Sequence, residues 1–227
     1  MLALQEIDRG QRRSHGADQT AEVADALGAA PGDWRFVPAL VGEPGGTWRA
    51  ATDGDAGSPE PGYGVGLVSR RPVKAWHVVR LAAAPVRSPV VVPGGRGRVI
   101  LLPDEPRVAV AADLGEIVVA TTHLSFVPGW NLRQLRRVVA WLAGLGPSCI
   151  LIGDLNVPGP FPRLATGWRP LAEVKTFPAE APRLQVDHAL AHGPQPAIHA
   201  AKAQKMPLSD HRALVLELGS EKWQSEP

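Results

Sequence analysis

Short apolar runs rich in Val and Ile alternate along the chain with clusters of Gly, Pro and charged residues. Runs of this kind between turn-forming residues are typical of buried or half-buried β-strands. The pattern predicts strands at residues 36–41, 65–68, 78–81, 99–102, 108–112, 117–122, 149–152, 186–190 and 213–218. Another apolar run, at 2–5, is followed by Glu6, and strand geometry places this carboxylate at the tip of the run.

Two segments have helical periodicity instead. The first covers 18–27, where the apolar residues share one side and Gly28 is placed to end the helix in a left-handed cap. The second covers 131–145 and carries an apolar stripe flanked by arginines. A helix that leads into a strand at 149–152 and a polar turn is typical of layered proteins with chemistry at strand ends. The pattern therefore predicts an α/β (α+β) fold in which helices cover sheets.

A long irregular segment separates two of the predicted strands. Residues 43–62 include five Gly and three Pro, and loops of this length without structure of their own are uncommon in compact domains. We therefore expect a mobile loop. The Asp53-Gly54-Asp55 sequence inside it lacks the spaced ligands and the closing Glu of a calcium loop, so ordinary loop acids are expected there.

Length, charge and cysteine content limit the class of protein. The 227 residues carry a formal charge of +2 and a single cysteine, Cys149. This length predicts one globular domain at 1–219 followed by a tail at 220–227. One cysteine excludes an intramolecular disulfide framework and a Cys-rich zinc site, which favours a reducing, cytoplasmic setting. With no signal peptide and no apolar run of the ~18 residues that a spanning helix needs, we expect a monomer that does not insert into membranes.

Polar residues stand where several apolar runs end. His123 closes one run, Asp154 and Asn156 follow another, and Asp-His pairs occur at 187–188 and 210–211. A carboxylate and an amide two residues apart can converge on one phosphate, and a carboxylate can orient a histidine that acts on it. Each motif alone also fits a capped turn, a semi-buried histidine or a solvated acid.

Taken in chain order, these motifs resemble the signature of the endonuclease/exonuclease/phosphatase superfamily, which includes pancreatic-type deoxyribonucleases, apurinic-site endonucleases, inositol-phosphate phosphatases and neutral sphingomyelinases. The matching segments are Gln5-Glu6, Tyr63-Gly64-Val65, Ser69-Arg70-Arg71-Pro72, Thr122-His123, Gly153-Asp154-Leu155-Asn156, Val186-Asp187-His188 and Ser209-Asp210-His211. The resemblance covers nearly the whole chain. It implies a four-layer sandwich in which two packed, mostly antiparallel or mixed β-sheets are flanked by helices.

The resemblance also implies a metal centre. Glu6 would bind Mg²⁺ with the support of Asp210, because hard oxygen ligands suit this ion, and Mn²⁺ is the alternative. No aromatic or amide residue beyond these motifs is assigned to the site, and Tyr63 is left without a role.

The same resemblance implies the catalytic roles. Asp154 would activate or position the attacking water, and Asn156 would hold it in line with the scissile phosphate. His211 would donate to a non-bridging phosphate oxygen while Asp187 fixes its tautomer, and His123 would be a second donor.

The chain departs from the superfamily pattern at its N-terminal side. Members ordinarily begin with a strand that ends in an Asn of the metal site, followed by a helix that leads into the strand of Glu6. Without that strand, we expect unpaired backbone groups and exposed apolar surface beside residues 2–5. Two explanations are open: the protein begins upstream of Met1, or the chain is shortened and weakly active.

The sequence thus predicts a Mg²⁺-dependent phosphoesterase whose substrate is a phosphodiester or a phosphomonoester, either a small molecule or a nucleic acid. The small net charge allows a phosphate-bearing substrate without requiring an extended nucleic-acid surface. The alternative is a catalytically impaired superfamily member that binds a phosphorylated ligand or nucleic acid.

Overall fold

The computed structural model describes residues 1–91 and 99–219, so the predicted tail at 220–227 lies outside the described residues. In chain order the strands are β1 (Leu2–Arg9), β2 (Trp34–Gly42), β3 (Trp48–Ala50), β4 (Gly62–Val68), β5 (Ala75–Leu81), β6 (Arg87–Val91), β7 (Val99–Pro103), β8 (Arg107–Asp113), β9 (Val118–His123), β10 (Cys149–Asp154), β11 (Arg169–Pro170), β12 (Asp187–His192), β13 (Ile198–Lys205) and β14 (Arg212–Leu218). The helices are α1 (Gln19–Leu27), α2 (Trp130–Ala143) and α3 (Phe161–Thr166). Short 3₁₀ turns occur at Arg12–Ser14 and Asp53–Gly57.

The strands form two main sheets. The first has the order β1-β4-β2-β3, all antiparallel, and the second has the order β11-β12-β10-β9-β8-β5. Only β9 and β10 pair in parallel in the second sheet. Two further antiparallel pairs, β6-β7 and β13-β14, stand apart from these sheets in hydrogen bonding.

Alternating side chains bury both faces of the second sheet. One face, with Val110 and Ile150 among its residues, packs on the first sheet through Val37 and Leu67. The opposite face packs on α2. Because neither face meets water, the central strands are continuous apolar runs in the sequence. These runs made the central strands easy to predict.

The two long helices cover the outer faces of the sandwich. α1 lies on the first sheet, buries Thr20 and Ala24, and ends at Gly28, whose φ of +62° gives the predicted left-handed cap. α2 buries Leu135, Val138 and Leu142 among its inward side chains. The predicted layered α/β fold is therefore confirmed, with α1, the first sheet, the second sheet and α2 as its layers.

The segment at 43–62 differs from the prediction of an unstructured loop. It contains β3 and the 3₁₀ turn at Asp53–Gly57. Arg49 donates to both carboxylate oxygens of the buried Asp55, which also accepts from the backbone and hydroxyl of Thr52. The acids are thus structural members of an ordered connection, because these hydrogen bonds replace the apolar contacts that a sequence pattern would reveal.

No helix in the described part of the chain is long and apolar enough to span a membrane.

Candidate active site

Adjacent strands of the second sheet bring three candidate side chains to one edge. β9 and β10 run parallel in a register that sets His123 beside Asp154. β12 runs antiparallel to β10 in a register that sets Asp187 beside Asp154. Since β12 begins where the other two strands end, the three residues stand in a row. The hydrogen bonding of the sheet therefore fixes their backbone spacing.

Gly153 permits this close pairing. Its φ is +147°, and a Cβ atom built there would lie 2.0 Å from the carbonyl oxygen of Thr122 on β9. L-residues rarely adopt this backbone conformation, and the neighbouring atom is backbone that has little room to move. A glycine is thus required immediately before Asp154.

The turn after β10 ties Asn156 to the same edge. Its φ of +49° is left-handed, a conformation that Asn tolerates better than most residues. Its backbone N–H donates to Oδ1 of Asp154 at 2.8 Å, and its Nδ2 donates to the Leu124 carbonyl at 2.9 Å. Nδ2 also lies 3.2 Å from Nε2 of His123. Asn131 of α2 donates to the Asn156 carbonyl at 2.7 Å, so the helix supports the turn.

Asp187 and His211 form a hydrogen-bonded pair. Nδ1 of His211 lies 2.8 Å from Oδ2 of Asp187, and the imidazole packs against the ring of Phe177 at a centroid distance of 4.8 Å. Burial opposes the charge on this imidazole, but the Asp187 hydrogen bond and the nearby carboxylates outweigh burial and raise the pKa of His211 to about 9. The side chain is therefore a cation at neutral pH, with Nδ1 engaged.

Glu6 reaches the site through an irregularity in β1. The register with β4 shifts between Leu4 and Ile7, and Glu6 has a φ of +56°. Bulges of this kind redirect a side chain, and a left-handed non-glycine residue is strained. The Glu6 carboxylate is 64% exposed, and its Oε1 lies 3.8 Å from Nδ1 of His123. The local strain thus accompanies a carboxylate aimed at the strand edge.

Two further residues belong to this neighbourhood: Arg107, which the sequence analysis missed, and Tyr63, which it left without a role. Nη1 of the buried Arg107 lies 3.3 Å from Nδ1 of His123, while Asp104 lies 3.9 Å from Nη2. Burial, reinforced by this guanidinium, lowers the pKa of His123 well below its usual value. Burial and the charge of Glu6 raise the pKa of the Tyr63 phenol. The sequence offered one indication of Arg107, its position directly before the apolar run at 108–112. That run forms β8, which pairs with the strand of His123.

Two residues of the recognised motifs make no hydrogen bond or ion pair with this cluster through their side chains. Asp210 is exposed in the turn between β13 and β14, and within the described residues its carboxylate has no hydrogen bond or ion pair. Its backbone carbonyl accepts from Ala179. His188 is buried instead, with Nε2 2.7 Å from the Val157 carbonyl and Nδ1 3.2 Å from Nε2 of Gln185. It is a core residue with satisfied hydrogen bonds.

The two carboxylates at this edge, Asp154 and Asp187, suit a metal ion, and the cationic His211 lies beside them. One ligand atom from each of Asp154, Asp187 and His211 lies within 4.8 Å of the others. Burial, followed by the charge of Asp187, raises the pKa of Asp154 to about 7. Two neighbouring carboxylates that repel each other are stabilised by a hard cation, and Glu6 adds a third carboxylate at the same edge.

The sequence pattern of the Endonuclease/Exonuclease/phosphatase family matches residues 1–211. The chain belongs to this family. Solved structures share the family fold: the mannosyl-6-phosphatase of Bacteroides thetaiotaomicron VPI-5482 is 17% identical with a TM-score of 0.51, over 88% of this chain and 81% of that chain. The human nocturnin catalytic domain with bound sulfate is 17% identical with a TM-score of 0.51, over 89% and 76%.

A family protein from Leptotrichia buccalis C-1013-b is 12% identical with a TM-score of 0.55, over 96% of this chain and 86% of that chain. No curated protein sequence matches the chain. At these identities the structural likeness establishes the endonuclease/exonuclease/phosphatase fold. The family is one of phosphate-ester hydrolases, and the candidate site of this member lies at the edge formed by β9, β10 and β12.

Proposed function

We propose that the protein hydrolyses a phosphate ester with water as the nucleophile and with Mg²⁺ as its cofactor. The observation that carries this proposal is the convergence of Asp154, Asp187 and His211 at one strand edge. There, the Asp154 carboxylate can accept a proton, and the His211 imidazole beside it is already protonated at neutral pH. Membership of a family of phosphatases and nucleases supports the same chemistry.

Glu6 would hold the cation, with Asp210 on the turn before β14 as a second ligand. The exposed carboxylate of Glu6 and the acidic pair beside it offer the hard oxygen atoms that Mg²⁺ prefers, and Mn²⁺ fits the same donors. When bound, such a cation supplies positive charge to the phosphate oxygens and lowers the cost of the charge that develops there.

Asp154 would accept the proton of the attacking water. A pKa of about 7 leaves a substantial ionised fraction near neutral pH and makes the carboxylate a stronger base than an ordinary Asp. As the water oxygen bonds to phosphorus, the P–O bond to the leaving alcohol breaks, and the proton of the water passes to Asp154. The hydrogen bond from the Asn156 backbone to Oδ1 holds the carboxylate in place.

The cationic groups would stabilise the charge on phosphate. His211 keeps its proton at neutral pH because Asp187 accepts from Nδ1, which leaves Nε2–H free to donate to a non-bridging oxygen. His123, held neutral by burial and by Arg107, would act as a hydrogen-bond partner without adding charge. The buried guanidinium itself would contribute a fixed positive charge behind His123.

The substrate class follows from the charge of the whole chain. A formal charge of +2 provides little long-range attraction for a polynucleotide, and such attraction supplies most non-specific nucleic-acid binding. A small phosphodiester or phosphomonoester therefore fits at least as well as DNA or RNA.

The test is hydrolysis of bis-p-nitrophenyl phosphate and p-nitrophenyl phosphate with Mg²⁺, with Mn²⁺ and with EDTA. We expect metal-dependent turnover, and we expect Asp154→Asn to lower kcat by about 10²- to 10⁴-fold, the range for losing a general base. Asp25→Asn is the matched control, because Asp25 is an exposed acid on α1. The preferred ester separates diesterase from monoesterase activity.

Glu6→Gln should raise the Mg²⁺ concentration needed for half-maximal activity without unfolding the chain, since its side chain is mostly exposed. Full activity in the Asp154→Asn variant would contradict the proposed base. If the folded wild-type chain binds a phosphorylated ligand and turns over neither ester, the alternative of a catalytically impaired family member would replace this proposal.

A further inference from the structure

His123 is a buried imidazole that lies between two hydrogen-bond donors. Nη1 of Arg107 lies 3.3 Å from its Nδ1, and Nδ2 of Asn156 lies 3.2 Å from its Nε2. Burial and the guanidinium lower the pKa of His123 and keep the ring neutral, and a neutral imidazole has one N–H and one lone pair. The ring can therefore accept a hydrogen bond from only one of these two neighbours, and its other nitrogen carries the proton.

Two carboxylates flank the same ring and do not decide where its proton sits. Oε1 of Glu6 lies 3.8 Å from Nδ1 of His123, and Oδ2 of Asp154 lies 3.6 Å from Nε2. A proton on either nitrogen thus has a carboxylate at a similar distance. The choice between the Nδ1–H and the Nε2–H tautomer depends instead on which of the two donors takes the lone pair.

Arg107 depends on His123 for its hydrogen bonding. Its side chain is 8% exposed, and a guanidinium is always a donor. Across 1–91 and 99–219, its Nε has no hydrogen-bond partner, and Oδ1 of Asp104 lies 3.9 Å from Nη2, beyond hydrogen-bond distance. Among the same residues, Nδ1 of His123 is the one acceptor that its side chain reaches. Since an unsatisfied buried charge is costly and charged donors form the stronger hydrogen bonds, we expect Arg107 to take the lone pair.

Asn156 does not depend on His123. Its Nδ2 also donates to the Leu124 carbonyl at 2.9 Å, and its backbone N–H and carbonyl are held by the side chains of Asp154 and Asn131. Asn156 is half-buried, so water or substrate can accept its second amide hydrogen. Loss of the hydrogen bond to His123 therefore costs Asn156 little.

We propose that Arg107 is a positioning residue that holds His123 in its Nε2–H tautomer, so that the imidazole presents a proton to the substrate phosphate. Nε2 lies on the side of Asn156, and two N–H donors 3.2 Å apart can bind one non-bridging oxygen. His211 presents its Nε2–H by the opposite means, because there the carboxylate of Asp187 accepts from Nδ1. The action on phosphate rests on the proposed hydrolysis, whereas the tautomer exists without substrate.

Long-range ¹H–¹⁵N NMR of the histidine-labelled chain in EDTA, at about pH 8, measures the tautomer directly. The two ring nitrogens differ widely in chemical shift when only one of them carries a proton. The signals of His123 are identified by their loss in His123→Gln. We expect the wild-type protein to show a protonated Nε2 and an unprotonated Nδ1. A protonated Nδ1, or equal amounts of the two tautomers, would overturn the proposal.

Substitutions of Arg107 test whether the guanidinium sets the tautomer. Arg107→Met removes the donor and keeps an unbranched side chain, so His123 should switch to the Nδ1–H tautomer, with Nε2 accepting from Asn156. Arg107→Lys keeps a cationic donor and should retain the Nε2–H tautomer. Arg12→Met, at an exposed arginine, is the control and should retain it too. An Nε2–H tautomer in folded Arg107→Met would mean that Arg107 has only a structural role, contrary to the proposal.

The double variant Asp104→Asn/Arg107→Met serves if the single variant does not fold, because it also removes the buried acid that the guanidinium faces. It should show the same switch to Nδ1–H, and retention of Nε2–H in it would also overturn the proposal.

Kinetics connect the tautomer to the proposed hydrolysis. Arg107→Met should lower kcat by about 10²-fold with little change in KM, because one donor to the developing charge is lost. The NMR measurement needs no turnover. A chain that hydrolyses neither ester but shows the tautomer switch would therefore contradict the proposed function and support the assignment of Arg107.

Discussion

At the residue scale, two imidazoles in one site are held in opposite protonation states by their neighbours. His211 accepts a second proton because Asp187 lies 2.8 Å from Nδ1, whereas His123 is buried and has Arg107 3.3 Å from Nδ1. An opposite charge nearby favours the charged form of a group, and a like charge or burial disfavours it. A cationic donor and a neutral one thus stand on either side of Asp154.

Removal of Arg107 should raise the pKa of His123. In Arg107→Gln one of the charges that disfavour the imidazolium is gone, while the burial of the ring remains. NMR titration of the imidazole resonances in EDTA measures the change, and Arg12→Gln, at an exposed arginine, serves as the control. An unchanged or lower pKa of His123 in Arg107→Gln would show that the guanidinium does not set its charge state.

Cys149 should be inert in the folded protein. Its side chain is fully buried at the start of β10, its thiol donates to the Leu142 carbonyl, and burial raises its pKa to about 11. At pH 8 a thiol reagent such as 5,5′-dithiobis(2-nitrobenzoate) should label it only after urea unfolds the chain. Rapid labelling of the native protein would contradict this description of β10.

At the element scale, the site depends on how closely β9 and β10 pair at their carboxyl ends. The Asp154 backbone is aligned with both His123 and Asp187, and this alignment follows Gly153, where a Cβ would lie 2.0 Å from the Thr122 carbonyl oxygen. The strands must separate or twist to accept any larger residue. Position 153 therefore links the stability of the sheet to the geometry of the site.

Gly153→Ala should lower the free energy of unfolding by at least about 2 kcal/mol, because it adds both a steric clash and an unfavourable φ. Gly57→Ala is the matched control, since a Cβ there meets nothing within 4 Å. Urea denaturation compares the two variants. Equal stabilities would mean that the tight approach of β9 and β10 is not required.

Continuous apolar runs allowed the sequence to locate the strands that are buried on both faces. The runs of β8, β9 and β10 are continuous and apolar, so their positions were confirmed within a residue or two. β13 was missed because its outward positions are polar and its inward ones are mostly Ala, which gives a weak alternation. β3 was missed because its segment is held by the hydrogen bonds of Asp55.

The sequence indicated which side chains belong to the candidate site but not how they are arranged in space. The acids and histidines at strand ends were visible, and the structure brings Glu6, His123, Asp154, Asp187 and His211 to one edge. The bulge that redirects Glu6 and the contact of Arg107 with His123 depend on register between strands far apart in sequence. The metal-binding role of Asp210 remains a prediction, because its side chain makes no hydrogen bond or ion pair with the described site residues.

At the scale of the whole molecule, the largest described differences between the two sides of the sandwich are in what covers the sheets: α2 packs on the second sheet, and α1 packs on the first. The second sheet and α2 enclose a continuous core, while β1, at the edge of the first sheet, and the separate β13-β14 pair line one cavity from opposite sides. The candidate active site lies at the end of this cavity, beside the ends of β10 and β12. The small net charge is a second property of the whole chain, and it bears on the choice of substrate.

Nucleic-acid binding by this chain should depend only weakly on salt. Few phosphate contacts are expected from a chain of charge +2, so kcat/KM for a DNA substrate should fall by about tenfold or less between about 50 and 200 mM NaCl. The small ester bis-p-nitrophenyl phosphate is the reference for effects of salt on chemistry. A fall of about 10³-fold or more with DNA alone would indicate an extensive phosphate-binding surface and favour a nuclease.

The most direct test of the proposed chemistry is hydrolysis of p-nitrophenyl phosphate in ¹⁸O-labelled water with Mg²⁺. If water at the Asp154 edge attacks phosphorus, mass spectrometry should find the label in inorganic phosphate and none in p-nitrophenol, and Asp154→Asn should slow formation of the labelled product by about 10²- to 10⁴-fold. Label in p-nitrophenol would show attack at carbon, and labelled phosphate formed equally fast by Asp154→Asn would show that the reaction does not use this site. Either result would contradict the proposed mechanism.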